Sequence, residues 1–200
     1  AITEAAAVCF DSLSETAKQE FLDGCFGEGG LKYNLGRLHM NSCDFSLGNY
    51  VYVEEGDTEL CTFDIAHDRE KIIPLVKAAM ARHGEEELSL LISPWSPPAY
   101  MKTNGEMNHG GKLKEEYYGL WADYYVRFIR EVRKEGLQIR YLTVQNEPEA
   151  VQTWDSCIYT AQEEGSFAAE YLIPALKKAG FEDIEVFIWD HNKENMYDRA

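Results

Sequence analysis

The 200-residue sequence has no run of about 20 apolar residues, the length a helix needs to cross a bilayer. It is also poor in positive charge: 19 Lys and Arg stand against 35 Asp and Glu, for a formal net charge of −16. Such a surface repels phosphate backbones and anionic lipid, which argues against nucleic acid as a partner and against electrostatic docking on membranes. Cys9, Cys25, Cys43, Cys61 and Cys157 are odd in number and contain no C-x-x-C, so a disulfide scaffold is not encoded. The scattered His39, His67, His83, His109 and His191 form no H-x-x-x-H or H-E-x-x-H pair, and no metal or cofactor is expected. No G-x-G-x-x-G follows a strand-like segment. Gly27-Glu28-Gly29-Gly30 and His109-Gly110-Gly111-Lys112 read as turns. Ala1-Ile2-Thr3 opens without methionine, basic residues or a signal-type apolar core, so the true start is expected to lie upstream and the compartment stays open.

What is present is an ordinary globular composition, 45% hydrophobic, with enough length for one substantial core. Strand-like and helix-like stretches alternate. Ser14 to Asp23 reads as a helix with Ser14 as N-cap and Gly24 as its stop. Lys32 to Met40 reads as a strand with Tyr33, Leu35, Arg37 and His39 on one face. Asn41 to about Asp64 is a polar loop, after which Asp68 caps a helix running to Arg82 and closed by Gly84. Leu88 to Ile92 is a buried strand, and Ser93 to Lys114 is a long loop whose length favours a functional role. Trp121, Tyr124, Tyr125, Phe128 and Val132 recur at helical spacing, with Gly136 as the stop, and read as core. Ile139 to Gln145 is a strand. Gln162 to Lys178 is a helix kinked or divided at Pro174, and Ile184 to Trp189 is the last strand. Alternation of this kind implies a parallel sheet covered by helices. Polar residues gather after the strands, where both open α/β sheets and (β/α)8 barrels bind ligands. A full barrel takes about 250 residues. The chain is therefore expected to be part of a (β/α)8 TIM barrel, about strands 1/2 to 5.

The residues with chemical potential lie at these strand ends. Glu147, in Gln145-Asn146-Glu147-Pro148, follows a strand that Pro148 terminates. Counting by twos places Ile139, Tyr141, Thr143, Gln145 and Glu147 on one face. A carboxylic acid there can protonate a leaving glycosidic oxygen, or it can serve only in a surface salt bridge or near the next helix. Arg37, inside an apolar strand, needs a carboxylate partner, either catalytic or structural, unless the register turns it outward. Trp95 in Ser93-Pro94-Trp95-Ser96-Pro97-Pro98 reads as a sugar-binding indole or as a lid on the core. Asp44 reads as an acceptor for sugar hydroxyls or as a turn cap. Cys43 reads as a small buried hydrophobe.

In order along the chain, Thr3-Glu4-Ala5-Ala6-Ala7, Tyr33-Asn34-Leu35-Gly36-Arg37, Ser42-Cys43-Asp44-Phe45-Ser46, Ser93-Pro94-Trp95-Ser96-Pro97-Pro98, Met101-Lys102-Thr103-Asn104-Gly105 and Gln145-Asn146-Glu147-Pro148 resemble glycoside hydrolase family 30, which includes glucosylceramidase. The resemblance implies a (β/α)8 catalytic barrel with a small β-domain and retaining hydrolysis of β-glycosides. It implies Glu147 as general acid/base, Asn146 as holder of the sugar 2-hydroxyl, and Arg37 as partner of the nucleophile. Asp44 and Trp95 would contact sugar hydroxyls, and Asp190 and His191, with Asn192, would lie where the fifth strand contributes. The family's nucleophile, a Glu on the seventh strand, falls outside this chain, and Glu149, Glu163 and Glu164 do not replace it. Residues 1–200 are thus expected to be a partial catalytic barrel, inactive alone, without the C-terminal strands and the accessory β-domain. A non-catalytic carbohydrate-binding role and an inactive half-barrel are the alternatives. Exposed edge strands and an uncovered apolar face would make the isolated piece self-associate.

Overall fold

In the computed structural model, which describes residues 1–83 and 88–199, four strands form one parallel sheet in sequential order. They are β1 (Leu35–Met40), β2 (Ser89–Pro94), β3 (Ile139–Thr143) and β4 (Glu185–Phe187). The helices are α1 (Glu4–Asp11), α2 (Glu15–Phe26), α3 (Ala66–Lys71), α4 (Ile73–Met80), α5 (Tyr118–Lys134), α6 (Ala161–Phe167), α7 (Ile173–Lys178) and α8 (Met196–Arg199). None of them is long and apolar enough to cross a membrane.

The helix-facing side of the sheet is apolar, with Leu38, Met40, Leu90, Ile92 and Leu142 buried in the same core as Val76, Tyr125 and Phe128. The α5 stripe is core, as its spacing requires, and Gly136 at φ +86° ends the helix in the left-handed region that favours glycine. The opposite, concave face is partly open: Leu35 and Phe187 are exposed and Leu91 and Tyr141 half-exposed. An inner face with sequential parallel strands and helices outside is the wall of a partial barrel.

Several boundaries move for local reasons. α1 is not among the elements expected from the sequence, although Thr3 caps it through Ala6 N–H and Glu4 sits in its first turn. Ser14 does cap α2, but the helix passes Gly24 because Leu22 and Phe26 bury its last turn. β1 starts at Leu35 rather than Lys32. Lys32 has φ +51°, and Leu31 and Tyr33 donate N–H groups to Gly24 and Cys25, tying the segment to α2. The single helix expected after Asp68 is two, since Pro74 in the first turn of α4 has no N–H to continue the ladder from α3. Its expected stop, Gly84, lies outside the described residues. The helix broken at Pro174 is α6 and α7 joined by a π-helical turn over Ala168–Leu172. A register shift between Leu90 and Leu91 sets Leu90 opposite Ile139 but Leu91 opposite Tyr141. The count by twos from Ile139 to Glu147 therefore does not survive, and regular pairing of β3 stops at Thr143.

Asp68 is not a cap. It lies inside α3, is buried, and accepts the Tyr50 hydroxyl at 2.9 Å and the Tyr52 hydroxyl at 2.7 Å. Burial pushes its carboxyl up to about 6, against the two hydroxyls that favour ionisation. The folded state thus keeps a proton between about pH 4 and 6 that the unfolded chain has already lost. Stability from this group is full below that window and falls as pH rises through it, by on the order of 3 kcal/mol. Asp68→Asn is expected to flatten that fall and raise the urea midpoint at pH 7 relative to pH 4.5. An unchanged pH slope would show that Asp68 ionises freely in the fold.

Candidate active site

Each strand, or the turn that follows it, contributes a polar group, and these groups meet. Arg37 points from β1 to the inner side, half-buried. Its Nε donates to Ser93 Oγ at 3.0 Å and its Nη2 to Asn146 Oδ1 at 2.9 Å and Asp190 Oδ2 at 2.5 Å. The Thr143 hydroxyl lies 2.9 Å from both Ser93 Oγ and Asp190 Oδ2, and Ser93 Oγ is 3.0 Å from the same carboxylate oxygen. One guanidinium and two hydroxyls thus converge on Asp190, and the outward register for Arg37 is excluded. Within the described residues the carboxylate paired with Arg37 is Asp190.

Below this cluster the guanidinium carbon sits 4.6 Å from the centre of the Trp95 ring. Trp95 is 7% exposed, packs edge-on against His39, and its carbonyl accepts from Gln145 Nε2 at 2.7 Å. The indole is thus largely covered, by Arg37 on its face and by His39. His39 accepts the Glu4 N–H at Nε2 and faces the Asn41 carbonyl through Nδ1 at 2.6 Å, an arrangement that suits the neutral Nδ1–H tautomer. Burial lowers its pKa in agreement.

Beyond β3 the backbone is stitched to its neighbours. Asn146 N donates to Pro94 O and Glu147 N to Asp190 O, both at 2.9 Å. Glu147 then turns the chain at φ +45° immediately before Pro148. A non-glycine residue there costs of order 1 kcal/mol or more, and the proline ring disfavours α-type backbone at the preceding position. The flanking hydrogen bonds hold this conformation and leave the Glu147 side chain half-buried at the strand tip. Asp44 is exposed on a tight turn in which Ser46, not Asp44, caps: Cys43 N donates to Ser46 Oγ and Ser46 N to Cys43 O. Partial desolvation raises the Asp44 carboxyl, and the charge of Glu147 raises it further while Arg37 opposes. Asp44 and Glu147 therefore share one electrostatic environment. Cys43 is buried and its thiol is pushed up to about 11, mainly by that burial, which leaves it a protonated packing group.

The structure brings together Arg37, Asn146, Asp190 and Trp95, with Asp44 and Glu147 beside them. His191 is set apart: its ring stacks on Trp189 at 4.9 Å, and its buried Nδ1 has no hydrogen-bond partner among the described residues. Ser93 and Thr143 carry no mark in the sequence, where only a strand register could aim their hydroxyls at Asp190. The other acids are engaged elsewhere. Glu149 binds Arg199 and Asn195, Glu163 completes the capping box of α6 with Thr160, and Glu164 accepts Trp189 N–H. Among the described residues no group of three His, Cys, Asp or Glu is placed to hold a metal ion.

The chain is similar in sequence and overall structure to known proteins. SrfJ from Salmonella typhimurium is 44% identical over the whole of this chain, with a TM-score of 0.94, and the match spans 44% of that protein. The endo-β1,6-glucanase BT3312 is 25% identical over the whole chain, with a TM-score of 0.88 and 45% of that protein matched. Putative glucosylceramidase 3 of Caenorhabditis elegans is 35% identical over 96% of this chain and 38% of its own length. The chain thus spans less than half the length of these relatives. The Glycosyl hydrolase family 30 TIM-barrel domain matches residues 1–200, and the chain belongs to that family.

Proposed function

We propose that this segment is the acid/base half of a retaining β-glycoside hydrolase, with Glu147 as general acid/base and the nucleophile on a later strand of the intact protein. The observation that carries the reading is the strand-tip assembly. Glu147 is held in a left-handed turn beside a cluster drawn from the four strands and the turns that follow them. In the first step the nucleophilic carboxylate forms a bond to the anomeric carbon, the glycosidic C–O bond breaks, and Glu147 gives its proton to the departing oxygen. In the second, Glu147 takes a proton from water, the water oxygen bonds to the anomeric carbon, and the carboxylate leaves. Asn146 has its carbonyl oxygen held by Arg37, which leaves its amide nitrogen as the donor for the sugar 2-hydroxyl. Asp44 accepts from the other hydroxyls of the same sugar, and Trp95 lines the floor through Arg37. Asp190 keeps Arg37 oriented, while His191, stacked on Trp189, lies apart from these groups.

The names glucosylceramidase and endo-β1,6-glucanase share a glucosyl unit and differ in what is attached to it. That supports a β-glucosyl unit as the glycone and leaves the aglycone side to loops such as the one around Trp154. The test is the stereochemistry of the first product. Hydrolysis of an aryl β-glucoside by the intact protein, followed by proton NMR, is expected to release the β-anomer before mutarotation. Initial release of the α-anomer, or binding of glucosides with no turnover, would overturn the retaining assignment.

A further inference from the structure

The loop that carries Asp44 is held by buried carboxylates that take no part in the cluster around Arg37. Its neck closes where Ser42 N donates to Tyr50 O at 3.1 Å and Tyr50 N to Ser42 Oγ at 2.9 Å. Asp155, only 4% exposed, grips both sides of that neck through one oxygen. Its Oδ1 accepts from Ser42 Oγ at 2.6 Å and from Asn49 Nδ2 at 2.9 Å. At the tip, Glu4 accepts Leu47 N–H at 3.0 Å and Ala5 N donates to Phe45 O at 2.9 Å. A carboxylate taken this far out of water must be offset by strong donors, so its position is tightly determined.

Asp155 lies in the connection after β3, the same connection that carries Glu147. That connection is clamped to the loop after β2. Ser156 N donates to Met107 O at 3.0 Å, and the fully buried Lys102 ammonium donates to Met107 O at 2.8 Å and Ser156 O at 2.6 Å. Asp155 is therefore fixed to the frame that carries Glu147 while it holds the neck of the loop that carries Asp44.

We infer that Asp155 is a positioning residue that sets the spacing between the sugar-holding Asp44 and the proton-donating Glu147, an inference that rests on the function proposed above. A displacement of about 1 Å in such a pair is enough to cost on the order of 100-fold in rate. The measurement is kcat and KM of the intact protein for an aryl β-glucoside in Asp155→Ala, Asp155→Asn, Asp44→Ala and the Asp44→Ala/Asp155→Ala double variant. Asp155→Ala is expected to raise KM by about tenfold or more, the scale of one charged hydrogen bond to the substrate. Asp155→Asn retains an acceptor oxygen and is expected to restore most of the loss. In the Asp44→Ala background, Asp155→Ala is expected to do nothing further, because it acts through Asp44. An equal loss with and without Asp44, or unchanged kinetics in Asp155→Ala, overturns the inference. Should Asp155→Ala fail to fold, Asn49→Ala removes one of the two donors and must show the same dependence on Asp44. Glu147→Gln in the same assay separates the two levels. Full activity in that variant on a poor leaving group sinks the functional reading itself. Its inactivity together with additive Asp44 and Asp155 losses sinks only the positioning role.

Discussion

Glu147→Gln in the intact protein is expected to leave the first step nearly unchanged for a substrate with an activated leaving group, such as a dinitrophenolate, and to slow it by about 10²- to 10⁴-fold for a poor one. The physical reason is the charge that develops on the departing oxygen. A dinitrophenolate leaves as a stable anion, whereas an alkoxide of a sugar or a simple alcohol needs a proton in the transition state. Glutamine fills the same half-buried volume and suits the same left-handed turn at φ +45°, so binding and fold are expected to survive. With the activated substrate the glycosyl-enzyme should accumulate, because the same side chain is then missing as the base that activates water. A pre-steady-state burst followed by a slow phase, accelerated by added azide, is the expected trace. Equal losses on both leaving groups would remove Glu147 from the acid/base role.

Breaking the Arg37–Asp190 pair is the second large effect. Arg37 touches residues from the ends of β2, β3 and β4 at once. Arg37→Ala strips Asp190 of its cationic partner and leaves Asn146 Oδ1 unheld. The pair is about a quarter to a third exposed (side chains 30% and 25%), so its worth lies between the surface and buried extremes, about 2 kcal/mol. Loss of catalysis should exceed that, on the order of 100-fold in kcat/KM, because the amide proposed to hold the 2-hydroxyl loses its orientation. Arg37→Lys is not expected to rescue, since an ammonium cannot reach Ser93, Asn146 and Asp190 in one plane while stacking on Trp95. Asp190→Asn alone should cost less than Arg37→Ala, and the double variant no more than Arg37→Ala if the two act as a unit. Additive losses would show that Asp190 and Arg37 serve separately.

Much of this architecture is legible in the order of residues. The stripe from Trp121 to Val132, the apolar run of β2 and the caps at Ser14 and Gly136 are set by residues within a few positions of one another. Local periodicity and backbone preference are enough to read them. Pro148 marks a turn beside Glu147 in the sequence, although the regular pairing of β3 already ends at Thr143. The differences are equally local in cause: Pro74 divides a helix that periodicity alone runs through, and Thr3-Glu4 starts one that periodicity leaves out. The register shift at Leu90 and Leu91 carries no sequence signal of its own.

From the sequence alone come the alternating α/β order, the buried face of α5, and the gathering of Asp44, Trp95, Glu147 and Asp190 at strand ends. Those properties depend on neighbours in the chain and on period. Only the tertiary structure decides that Arg37 pairs with Asp190, that Ser93 and Thr143 join them, that Trp95 lies beneath the guanidinium, and that Asp155 holds the loop of Asp44. Such contacts join groups that lie as many as 153 residues apart, and they exist only once parallel strands have taken one register and helices have packed behind them.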